Sequence, residues 1–137
     1  MMPAAATARV EPSVPEKSNV ILVVDDNALV CRLIADFVRE MGYAAVEAGS
    51  ADEALAVARE IRPALVLMDI VMPGGNGIEA LNSIRATPEI ADAPVIAVTT
   101  LADGKGDAQF MAAGFDGYLA KPLDLRRFAE TLKRFMA

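Results

Sequence analysis

The sequence predicts an α/β fold, a single parallel β-sheet with helices on both faces. Three observations lead to it. Short runs dense in Val, Ile and Leu, at residues 20–24, 64–68 and 95–98, alternate with longer stretches whose apolar residues recur at helical spacing. The first two of these runs are unbroken rather than alternating, the pattern of strands buried on both faces. Each strand is followed by a turn and a helical stretch, so consecutive strands are joined by crossovers and run parallel. The 137 residues, 54% hydrophobic, are one domain's worth of chain with enough apolar content for a core of its own.

Residues 1–18 precede the pattern. Pro3, Pro12 and Pro15 interrupt a stretch of small, hydroxyl and charged residues without apolar period, which reads as a disordered tail. It lacks the basic start and apolar core of a signal peptide. The folded domain is expected over 19–137. Val20 to Val24 is the first strand, ending at Asp25, Asp26 and Asn27. Val30, Leu33, Ile34, Phe37, Val38 and Met41 then form one helical face, stopped by Gly42.

A weaker strand over Tyr43 to Ala48 leads to a helix whose start is marked by the capping-box spacing of Ser50 and Glu53. Its apolar face is Ala54, Leu55, Ala58 and Ile61, and Pro63 ends it. Ala64 to Met68 is the third strand, closed by Asp69, with Pro73, Gly74, Gly75 and Gly77 in the turn beyond. A helix through Ile78, Leu81 and Ile84 follows, and Pro88 and Pro94 bracket the next connection. Val95 to Val98 is the fourth strand and ends at Thr99. The helix over about 103–113 carries Gly104 and Gly106 in its first turn, each costing about 1 kcal/mol relative to alanine, so its start is loose. Gly117 to Ala120 is the fifth strand. Lys121 and Pro122 lead into a last helix with Leu125, Phe128, Leu132 and Phe135 on one face.

Composition narrows the chemistry. With no histidine, the chain has no His-ligated metal, no His-dependent triad and no phosphohistidine of its own. A single cysteine, Cys31, forms no disulfide within the chain; a small buried helix residue and a reducing, cytoplasmic compartment are expected. A net charge of -6 argues against direct DNA binding or adhesion to an anionic membrane. No apolar run approaches the roughly 20 residues that span a bilayer.

In a parallel sheet of this kind ligands bind beyond the carboxyl ends of the strands. Asp25 and Asp26, Asp69, Thr99 and Lys121 each close a strand there. Clustered carboxylates repel one another unless a cation sits among them. Three carry about -3; a divalent cation leaves about -1, which Lys121 balances. Magnesium is the natural candidate, since it takes a few carboxylates plus water and a phosphate oxygen. With a metal present, the Asp69 carboxylate can attack phosphorus, while Lys121 and the Thr99 hydroxyl stabilise the phosphoryl oxygens. Seen alone, the acid pair also suits a helix N-cap.

The runs VILVVDDN at 20–27, LVLMDIVMPGGNGIE at 65–79, VIAVTT at 95–100 and GYLAKPL at 117–123 resemble the receiver domain of two-component response regulators. The resemblance covers 19–137 and implies the flavodoxin-like strand order 2-1-3-4-5. It also implies that Asp25, Asp26, Asp69 and the backbone carbonyl of Val71 hold Mg2+, and that Asp69 is the phosphoacceptor. Thr99 is then the switch hydroxyl, Tyr118 the aromatic that turns inward with it, and Lys121 the phosphate-binding lysine. The Lys121–Pro122 bond is a candidate cis bond. The implied partners are a sensor histidine kinase or phosphotransfer protein and a downstream protein target docked through the last helix and its neighbours. The chain is expected to act alone, without an attached output domain, as a monomer or a phosphorylation-dependent dimer.

Two departures stand out. Thr100 occupies a position where the family usually has a smaller residue, which restricts access to the phosphoryl group. Val71 and Leu101 flank the acceptor and are apolar, which implies slow self-dephosphorylation because they do not orient water. The alternatives are a receiver-like adaptor that is never phosphorylated and a Mg-dependent phosphohydrolase. The latter lacks a second D-x-D acid and a histidine-type base, and a flavin binder would need donors where Asp25 and Asp26 stand. Charge is polarised: the tail is neutral, five basic against two acidic residues give 120–137 a charge of +3, and 19–119 hold -9.

Overall fold

The computed structural model describes residues 19–69, 77–99, 112–121 and 123–136. Strands β1 (Val20–Val24), β2 (Ala44–Ala48), β3 (Leu65–Asp69), β4 (Val95–Thr99) and β5 (Gly117–Ala120) form one parallel sheet in the order β2-β1-β3-β4-β5. Helices α1 (Ala28–Glu40), α2 (Ala51–Ile61), α3 (Gly77–Arg85) and α4 (Leu125–Met136) complete the described elements. Fold class and strand order are those the sequence and its resemblance predict.

The apolar strands explain the two-sided core. In β1, Leu22 and Val24 point to one face and Ile21 and Val23 to the other. The first face packs Ala54 and Ala58 of α2 and Leu81 and Ile84 of α3 against Val66, Met68 and Ala97. The second packs Cys31, Ile34, Ala35 and Val38 of α1 and Phe128 and Leu132 of α4 against Leu65, Leu67, Ile96 and Leu119. The edge strand β2 is the least buried, in keeping with its weaker apolar run.

Helix ends follow their local chemistry. Ser50 Oγ accepts from the Glu53 amide at 3.1 Å, and Glu53 Oε1 reaches back to the Gly49 amide at 2.7 Å. The reciprocal cap is present, with the glutamate bonded one residue earlier than the standard box. Gly42 follows α1 with φ +92°, the left-handed conformation that glycine adopts without penalty. Before Pro63, Arg62 ends α2 with φ 47°.

Several expectations need correction. Leu33 is 53% exposed and Leu125 56% exposed, although both are expected on buried faces. The buried stripe of α1 is Cys31, Ile34, Ala35 and Val38, and at 100° per residue Leu33 points about 150° from its centre. Leu125 is the first residue of α4, one turn before the buried Phe128. Gly77 opens α3 rather than ending the turn, Tyr43 precedes β2, and Asp69 and Thr99 are the last residues of their strands. The tail, the turn residues 73–75, Gly104, Gly106 and Pro122 lie outside the described residues; of the helix expected over 103–113, Ala112 and Ala113 are described and helical.

At the opposite end of the sheet from the acidic rim, Arg85 ties three segments together. Its guanidinium donates to the carbonyls of Ala91, Ala93 and Gly114 and to Asp116 Oδ2 at 2.8 Å; that same carboxylate oxygen accepts from the Val95 amide at 2.8 Å. Arg85→Ala is expected to lower stability by about 2 kcal/mol, and Arg85→Lys to recover less than half, because an ammonium cannot reproduce the planar fork. Urea unfolding of the three proteins checks this.

Candidate phosphoacceptor site

Parallel pairing brings the strand ends to one rim. The registers Val24↔Met68, Asp69↔Val98 and Thr99↔Ala120 set Asp25, Asp69, Thr99 and Lys121 within two residues of the same level. Residues 22 to 96 apart in sequence thereby become neighbours, as the strand-end argument requires.

Within this rim Asp25 is 2% exposed and Asp69 8%, whereas Asp26 is exposed. One carboxylate oxygen from each lies within 4.8 Å of the other two. The Lys121 ammonium sits 2.9 Å from Asp25 Oδ2 and 3.7 Å from Asp69 Oδ2. Two nearly buried carboxylates therefore share one cation, and the three acids together still carry an excess of negative charge. An all-oxygen donor set at this spacing suits a hard divalent ion, whose octahedral ligands at about 2.0–2.1 Å stand about 3–4 Å apart. Asp25, Asp26 and Asp69 fit magnesium in donor chemistry and spacing.

Asn27 is the residue the sequence reading passed over. Its side chain accepts from the amides of Leu29 and Val30, both at 3.1 Å, and caps α1. Asp25 Oδ1 in turn accepts from the Asn27 amide at 3.0 Å. The cap falls to Asn27, which leaves both aspartates free of that duty and orients Asp25 toward the rim. An asparagine just before a helical run is the signal that would have identified it.

Thr99 ends β4 at the rim, but its hydroxyl is outside the described atoms; Val71, Thr100 and Leu101 lie outside the described residues. Tyr118 is partly buried on β5 and lines a surface cleft of about 340 Å³ with Arg127, Glu130, Thr131 and Arg134 of α4. Its ring packs on the sheet face of Leu22, Met68 and Ala97, whereas Phe128 and Leu132 of α4 pack on the other.

Cys31 lies behind the site, 3% exposed, with its thiol 3.4 Å from the Val23 carbonyl and 3.8 Å from that of Ala48. Desolvation, with the negative charge of Glu47 adding to it, pushes the thiol up to about 11. The folded protein thus keeps the thiol neutral while the unfolded chain ionises near its ordinary value of 9.0, so this contribution to stability is complete below pH 9 and declines from 9 toward 11. Native protein is expected to resist a thiol-reactive disulfide reagent at pH 8 and to react fully in denaturant.

Comparison with known proteins bears on the family and the fold. The model of the response regulator receiver domain matches residues 21–133. The polar-differentiation response regulator DivK of Brucella anthropi is 35% identical over 116 residues, 85% of this chain and 94% of that protein. The Vibrio cholerae chemotaxis protein CheY4 superposes with a TM-score of 0.78 at 27% identity, over 85% of this chain and 97% of that one. The receiver domain of the Pseudomonas aeruginosa sensor histidine kinase PA1611, solved with a magnesium ion coordinated in its active-site cleft, gives 0.78 at 30% identity, over 86% and 97%.

Proposed function

Because the chain belongs to the response regulator receiver domain family, we propose that it is a phosphorylation switch whose acceptor is Asp69. The observation that carries this reading is the meeting of three carboxylates within 4.8 Å of one another, two of them paired with the Lys121 ammonium. The donor is the phosphohistidine of a sensor histidine kinase or phosphotransfer protein, since this chain contains no histidine. An Asp69 oxygen attacks phosphorus, the phosphorus–nitrogen bond to the donor imidazole breaks, and the imidazole keeps the electron pair and takes up a proton from solvent. The product is an acyl phosphate on Asp69.

Asp25, Asp26 and Asp69, with the Val71 carbonyl, are the residues that would hold magnesium. When bound, the ion neutralises charge on the transferring phosphoryl oxygens. Lys121 already pairs with Asp25 and stands 3.7 Å from Asp69, close enough to turn to a phosphoryl oxygen there. Thr99, at the end of β4, would donate its hydroxyl to the same group. Its movement, followed by the Tyr118 ring, would alter the cleft between β5 and α4, where a downstream protein target docks. The single buried thiol, and the absence among the described residues of any helix long and apolar enough to cross a membrane, fit a cytoplasmic protein without membrane attachment.

The test uses the whole chain with a small acyl phosphate donor and magnesium, followed by intact mass. A gain of one phosphoryl group that chelation of the metal prevents is the expected result. An unmodified chain under these conditions would instead mark a receiver-like adaptor.

A further inference from the structure

Asp25 is held at three points. Its amide donates to the Ala48 carbonyl at 3.1 Å, its Oδ1 accepts from the Asn27 amide at 3.0 Å, and its Oδ2 meets the Lys121 ammonium at 2.9 Å. The two carboxylate contacts together fix the plane of the side chain. They differ in stiffness, because the ammonium ends a flexible stem, whereas the Asn27 amide belongs to the backbone and moves only if the turn between β1 and α1 changes shape.

Asn27 sets the shape of that turn. Its side-chain oxygen accepts from the amides of Leu29 and Val30, and its carbonyl accepts from the Cys31 amide at 2.9 Å. Cys31 is buried against the ends of β1 and β2, so the bonds of Asn27 join the core-anchored start of α1 to one oxygen of Asp25. Asn27 is itself exposed, and replacing its side chain disturbs no core packing.

A carboxylate fixed before a metal arrives loses little freedom when it binds. How much this matters depends on the ion. Magnesium demands near-ideal octahedral geometry at about 2.0–2.1 Å, whereas calcium accepts loose arrangements at about 2.3–2.6 Å. We propose that Asn27 is a positioning residue of the site: through its cap it holds the Asp25 carboxylate in the geometry magnesium requires, and so sets the preference for magnesium over calcium. The inference rests on the reading that Asp25 is a magnesium ligand, and Asn27 acts only through it.

Calorimetric titration of the full chain with magnesium and, separately, with calcium tests it. Asn27→Ala removes the cap and should bind magnesium about tenfold more weakly than the parent, with calcium affinity changed by less than about threefold. Asn27→Ser restores a capping oxygen without adding charge and should bring magnesium affinity back to within about threefold of the parent. Ser50→Ala controls for lost stability alone: it removes the cap of α2, where Ser50 Oγ accepts from the Glu53 amide, and should leave both affinities unchanged. Equal losses for the two ions in Asn27→Ala, or a magnesium affinity like the parent's, overturn the proposal and leave the metal reading in place. The same loss in Ser50→Ala as in Asn27→Ala overturns it too. A parent chain that takes up no magnesium overturns the metal reading and this inference with it.

Discussion

Replacing Asp69 by asparagine is expected to abolish phosphoryl uptake completely while leaving the fold intact. The amide keeps the shape of the side chain but is neither charged nor nucleophilic, so no acyl phosphate can form. The fold survives because Asp69 is the more distant of the two acids paired with Lys121, at 3.7 Å, and the 2.9 Å contact to Asp25 remains. Removing one of several crowded negative charges also relieves repulsion, so the variant should be as stable as the parent or up to about 1 kcal/mol more stable in the absence of metal. Wild type and variant are compared by intact mass after treatment with magnesium and an acyl phosphate donor, and the wild-type adduct should be released by hydroxylamine. Uptake retained by the variant would move the acceptor elsewhere.

Lys121→Met should have the second-largest effect, and its size should depend on magnesium. The methionine keeps the volume of the lysine stem but leaves Asp25, 2% exposed, and Asp69, 8% exposed, without the cation they share. Breaking such a pair by removing one partner leaves uncompensated charge in a poorly solvated place, a cost of about 2–3 kcal/mol here given that the lysine is itself partly solvated. If Asp25, Asp26 and Asp69 hold magnesium, added Mg2+ should close most of that gap, because the ion supplies the missing positive charge. Urea unfolding of both proteins with and without magnesium measures the difference. An equal loss in both conditions would show that the acids do not hold the ion. Phosphorylation of the variant should also slow by about 10²-fold, the scale of losing one preorganised electrostatic partner of the phosphoryl oxygens.

Both predictions concern residues readable from the sequence, for a physical reason. Short runs such as VILVV and ALVLM, bounded by turn residues, read as doubly buried strands, and strands joined through helical crossovers read as parallel, so their carboxyl ends share a rim. An acid pair, a single acid, a hydroxyl and a lysine at those ends therefore had to meet, whatever the loop details. Helix boundaries marked by Ser50 with Glu53 and by Gly42 were legible for the same reason, since they rest on bonds within a few residues.

What depended on packing was not legible in this way. Leu33 and Leu125 satisfy a helical apolar period yet stand exposed, because periodicity reports a helix face and not whether a neighbour covers it. The capping of α1 by Asn27 rather than by the acid pair is a competition between adjacent side chains, settled by which oxygen reaches two amides at 3.1 Å. The hub at Arg85 joins carbonyls and a carboxylate up to 31 residues away, with no local mark in the sequence.

By itself, then, the sequence determined the sheet, the place of the acidic rim and the identity of its side chains, because unbroken apolar runs and the helical stretches that connect them are properties of local pattern. Only the tertiary structure decided that Lys121 lies nearer Asp25 than Asp69 and that Leu33 and Leu125 stand uncovered. Those outcomes turn on ångström differences and on helix-to-helix placement, set by the packing of the whole core and not by any one segment.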